Sequence, residues 1–98
     1  MTRTISVTRR HVNAGRRNSM SACPIALAAK EQLSKSHLTV SKVDIHWYDP
    51  APPTTIQLTQ VTARLPVKAQ LFVRRFDNNL SVSPFNFDLE VPTAPRQD

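Results

Sequence analysis

A single glycine, Gly15, serves all 98 residues, and that scarcity removes several functions at once. Phosphate loops and dinucleotide fingerprints need clustered glycines so that backbone N–H groups can approach a phosphate, so neither is available here. A single cysteine, Cys23, rules out an internal disulfide and a multi-cysteine zinc site and leaves stability to packing. It also makes a reducing cytoplasm the natural compartment. The longest apolar run, Ile25 to Ala29, is far too short to cross a bilayer, so no membrane association is expected. Acidic residues are missing altogether from the first thirty positions, which hold five arginines.

That last absence shapes the whole molecule. Residues 1–43 carry eight basic side chains against Glu31 alone, whereas residues 44–98 carry five against six acidic ones. The entire net charge of +6 therefore resides in the first half. A one-sided basic field attracts phosphates, on nucleic acid or on a nucleotide, and acidic proteins too. The plainer alternative is a solvated surface that keeps a small protein in solution. An Arg-rich, acid-free start also fits an organellar transit peptide, but Ile5 and Val7 alternate with Thr4, Ser6 and Thr8 as in a half-buried strand of the folded body.

Ninety-eight residues suffice for one core. We expect one domain over 1–91 and a flexible tail over 92–98. A first strand over 3–7 leads to Thr8, which caps a short helix over Arg9–Ala14 that Gly15 ends in a left-handed conformation. Residues 16–22 lack periodicity and read as a loop. Pro24 suits a first helical turn, with Cys23 or Ser21 as cap, and Ile25, Ala29 and Leu33 share one face. From Leu38 the period is two, with a slip near Ser41–Lys42 that a bulge in one strand would absorb. The proline-rich stretch 49–53 is expected as a hairpin loop to a partner strand over 54–63. Leu65-Pro66 opens a helix whose stripe is Leu65, Ala69, Phe72, Val73 and Phe76, stopped at Asn78-Asn79. Phe85, Phe87, Leu89 and Val91 then alternate with polar residues as a strand with one wet, acidic face. The expected fold is α+β: a three- to four-stranded, mostly antiparallel sheet with two main helices on one face.

These elements resemble a group of small, uncharacterised proteins encoded by bacteriophages and prophages. The likeness rests on the Cys-Pro-Ile-Ala-Leu-Ala helix (Cys23 to Ala28), the Leu65-Pro66 helix start, Phe76-Asp77, and Pro-Phe-Asn-Phe-Asp-Leu (Pro84 to Leu89). It implies a bacterial host's cytoplasm and an accessory role in infection, and carries no activity with it. The Pro-rich hairpin and the extra N-terminal arginines depart from it.

Arg9, Arg10, Arg16 and Arg17 are the candidate phosphate contacts, close to one another in sequence and near a helix start. Trp47 is a candidate base-stacking residue if exposed, and otherwise belongs to the core. Cys23 at a helix start, with arginines upstream, has ingredients of a reactive thiol, but no base is expected beside it. Asp44, His46 and Tyr48 project from one strand face and lack a third ligand; His11 and His37 stand alone. No catalytic residue, cofactor or metal is expected. The expected function is a non-catalytic phage accessory protein that binds nucleic acid or a nucleotide. The alternatives are a module that docks on an acidic host or phage protein, with homodimerisation open, and an enzyme built on Cys23 or the Asp44/His46 pair.

Overall fold

The computed structural model describes residues 2–35, 37–50 and 58–91. The chain runs β1 (Thr2–Val7), α1 (Arg9–Ala14), α2 (Pro24–Leu33), β2 (Leu38–Val40), β3 (Asp44–Pro50), β4 (Leu58–Arg64), α3 (Val67–Asp77) and β5 (Phe85–Glu90). It is a small α+β fold.

Local chemistry sets most boundaries. Thr8 and His11 close a capping box: Thr8 Oγ1 accepts from the His11 N–H, and His11 Nδ1 accepts from the Thr8 N–H at 2.9 Å. His11 is buried, and because Nδ1 accepts, its proton resides on Nε2, which faces Glu31 Oε2 at 3.5 Å. That separation exceeds an ordinary hydrogen bond. Cys23 caps α2, its Sγ accepting from the Ala26 N–H at 3.4 Å, and Ser34 ends the helix in the left-handed region. Asn79 does the same after α3, where the Leu80 N–H reaches back to the Arg75 carbonyl at 2.9 Å.

Gly15 departs from expectation. Its φ of −71° and ψ of 153° are extended rather than left-handed. What requires glycine there is proximity: a Cβ at this position would lie 2.6 Å from Pro24 Cδ and Cγ and 2.8 Å from Pro24 N. The end of α1 is thus packed directly on the rigid ring that opens α2. Gly15→Ala should cost about 1–3 kcal/mol, as overpacking does, read from the urea midpoint; an unchanged midpoint would show that this contact yields freely.

The strands form two antiparallel sheets, β1-β5 and β2-β3-β4, where the sequence suggests one. Hydrophobic alternation reports which face of a strand is buried and is silent about which edges share a ladder. The expected single strand from Leu38 is a hairpin rather than a bulged strand. Leu38 pairs with Trp47 and Val40 with Ile45 across a turn at 41–43, where Ser41 Oγ accepts from the Val43 and Asp44 N–H groups at 3.2 and 2.9 Å. Asp49 and Pro50, expected in the proline-rich loop 49–53, instead end β3 in register with Thr59 and Leu58; the rest of that loop, the start of its partner strand and the expected tail lie outside the described residues.

Ile5, Val7, Phe87 and Leu89 from the first sheet meet Leu38, Val40, Ile45, Trp47, Val61 and Ala63 from the second in one core with α2 and α3. Ala26, Ala28 and Ala29 let α2 approach closely, and Phe72 of α3 stacks on Phe85 with centroids 4.7 Å apart. Asn86, Asp88 and Glu90 face outward, as the alternation indicates. The free edge of β1 is blocked by Gln32, whose amide accepts from the Ser6 N–H at 2.7 Å and donates to the Ser6 carbonyl at 2.8 Å. No helix among the described residues is long and apolar enough to cross a membrane.

Candidate phosphate-binding groove

The loop after α1 folds back on the C-terminal end of α3. Asn18, left-handed at φ 56°, presents its N–H to Asp77 Oδ1 at 2.9 Å. The Arg16 N–H donates to the Ala22 carbonyl at 2.8 Å and the Cys23 N–H to the Ser19 carbonyl at 3.1 Å, which closes the loop on itself. Asn79 turns the chain after α3 so that residues 79–82 run opposite α1. Between these walls lies an open groove of about 730 Å³.

Its make-up is one-sided. Arg9, Arg16 and Arg17 line it and are exposed. Val12, Phe76 and Val82 form a half-buried apolar floor continuous with the core, while Asn13, Asn79 and Ser81 add neutral polar groups. No carboxylate is among the lining residues. Among the described residues, none of the three arginines makes an ion pair. Asp77, the nearest acid on α3, is already engaged by the Asn18 N–H. Three exposed guanidinium groups around an apolar floor can hold phosphate oxygens while a flat apolar moiety rests below.

Arg10 does not join them. It turns toward α2, where its NH2 group lies 2.7 Å from Glu31 Oε1. That hydrogen bond, above all other causes, holds the Glu31 carboxyl below its ordinary range. Adjacent helical residues are about 100° apart, and that rotation carries Arg10 from the groove side toward Glu31 of α2. Trp47 also departs from the stacking role: it is 3% exposed, in the core alternative, and its Nε1 has no hydrogen-bond partner among the described residues. The aromatic ring that does border the arginines is Phe76. Sequence reasoning placed it only in the core, and its contiguity with Arg9 is a long-range contact no local pattern reports.

Elsewhere, burial pushes the Cys23 thiol above its ordinary value, outweighing the Ala26 N–H hydrogen bond that favours the thiolate. The sulfur serves as a neutral cap. Asp44, His46 and Tyr48 do share a face of β3, but His46 Nε2 is held by Thr39 Oγ1 at 2.6 Å. His46 and Tyr48 border a smaller hollow with Ser21, Lys30 and His37. The sequence left His37 isolated because the hairpin that brings it to His46 was not legible. No cluster of three metal-ligating side chains exists among the described residues. No family model matches the chain, and no curated protein or solved structure matches it significantly.

Proposed function

We propose that this chain is a non-catalytic binder of a phosphate-bearing ligand, nucleic acid or nucleotide, which it holds in the groove between α1 and residues 79–82. The observation that carries this reading is the convergence of Arg9, Arg16 and Arg17, without an ion pair among the described residues, around an apolar floor whose lining holds no carboxylate. Phosphate oxygens satisfy the guanidinium donors, and Phe76 with Val82 accepts the face of a base. Arg10, which the sequence groups with these residues, instead fastens α1 to α2. The likeness to phage and prophage proteins supports an accessory role in a bacterial host's cytoplasm.

A second reading, docking on an acidic host or phage protein, is favoured by one feature of α3. Val67 and Leu71, 70% and 49% exposed, stand one turn apart beside Lys68 and Arg75, an apolar pair set in positive charge. Titration of single-stranded DNA, duplex DNA and a nucleotide panel into the protein at 50 and 200 mM salt separates the two. Groove binding gives saturable affinity for a nucleic acid or nucleotide, and an oligonucleotide engaging three to five phosphates should weaken by about 20-fold or more over that range. No binding in any channel at 50 mM would overturn the groove reading and leave the α3 face as the surface to pursue.

A further inference from the structure

The groove is the first of three hollows that follow one another along a single loop. Arg16 and Arg17 line the first. Asn18, Ser19 and Met20 line the second, of about 260 Å³, opposite Lys42. Ser21 lines the third, of about 280 Å³, with Lys30, His37, His46 and Tyr48. One loop therefore borders all three, and two of its residues are fixed: Asp77 accepts from the Asn18 N–H at 2.9 Å, and Lys30 Nζ donates to the Ser21 carbonyl at 2.6 Å.

Along this rim the lining cations are Arg9, Arg16, Arg17, Lys42 and Lys30, against Asp77 alone, and that carboxylate is occupied. An aromatic ring stands at each end: Phe76, half-buried, in the first hollow, and Tyr48, 48% exposed, in the third. Met20, also exposed, lies between them. Cations repeated along a concave path with aromatic faces at intervals is the arrangement that binds an unpaired strand, since each base offers a face to stack and each phosphate a charge. A flexible single strand can pass from one hollow to the next with its bases unpaired and free to stack.

We infer that the ligand is single-stranded nucleic acid, which enters the arginine groove and tracks along residues 16–21 to the hollow bordered by His37 and Tyr48. This rests on the phosphate-binding reading of the groove and extends it from one nucleotide unit to a polymer. Arg17 and Ser21 are at most about 14 Å apart by chain reach, which about four stacked nucleotides span at about 3.4 Å each. A dinucleotide thus fills the arginine groove, and a strand of about four spans the loop from Arg17 to Ser21.

The test uses fluorescein-labelled thymidine oligomers of two, four, eight and twelve nucleotides with the full chain. Affinity should climb between two and four, beyond the gain from overlapping registers on the longer strand, and then rise by that gain alone. His37→Ala with Tyr48→Ala, both exposed side chains, should lower dodecamer affinity about tenfold or more and leave dinucleotide affinity unchanged. Equal dodecamer affinity in that variant and the wild type, with the dinucleotide still bound, would overturn the track and spare the groove. Failure of every oligomer to bind at low salt would overturn both. Unchanged melting temperature in the double variant establishes that any loss is one of contact.

Discussion

Replacing Arg9, Arg16 and Arg17 together with alanine should lower affinity for single-stranded DNA by at least about 100-fold at 50 mM salt. Each guanidinium that meets a phosphate contributes at least about 1 kcal/mol through charge-assisted hydrogen bonds, and three such losses reach two orders of magnitude. The slope of log affinity against log salt should also flatten by about 2, since each phosphate contact on a single strand releases about 0.7 of a counterion. All three side chains are exposed and unpaired among the described residues, so the melting temperature should stay near that of the wild type. Arg10→Ala is the control. Its charge is the same and its sequence position adjacent, but it is committed to Glu31 at 2.7 Å, so affinity should change less than about threefold. A field effect from net charge alone would make Arg10→Ala cost a third of the triple change in salt slope. Site-specific contact would not.

The second large effect concerns the core. Phe87 is buried on the β1-β5 sheet, opposite Ile5, with its ring stacked 5.6 Å from Phe85. Phe87→Ala removes that ring from a site whose neighbours come from both sheets and cannot all collapse into the gap. The expected cost is about 3–5 kcal/mol, and with about 4–8 °C per kcal/mol for a domain of this size the melting temperature should fall by at least about 12 °C. That is a large part of the stability a small domain has. Leu71→Ala, on the exposed side of α3, should change stability by less than about 0.5 kcal/mol. Comparable losses in the two variants would mean that the phenylalanine cluster does not join the sheets as described.

How much of this is legible in the sequence depends on how local the signal is. Thr8 before α1, Cys23-Pro24 before α2, Leu65-Pro66 before α3, and the alternation through Phe85, Phe87 and Leu89 all announce themselves within a few residues, and all appear where expected. The β2-β3 hairpin does not. Its turn has no residue with positive φ and hence no Asn-Gly signature; Ser41 makes it with a side-chain hydroxyl, and the resulting change of phase resembles a bulge. Gly15 shows that a glycine can be required by a neighbour rather than by its own torsions. The groove was half visible: Arg9, Arg16 and Arg17 are near one another in the chain, whereas Phe76 and residues 79–82 reach them only through the fold. Arg10 and Trp47 carried the right chemistry on the wrong side of an element, which only the capping geometry of α1 and the register of β3 decide.

The most direct test of the groove is to follow backbone amide resonances while a thymidine dinucleotide is added to the wild-type protein. Perturbations should concentrate on Arg9, Val12, Gly15 to Arg17, Phe76 and Asn79 to Val82 and saturate together. Shifts confined to Val67, Lys68 and Leu71 on the outer face of α3, or none anywhere at saturating ligand, would contradict it.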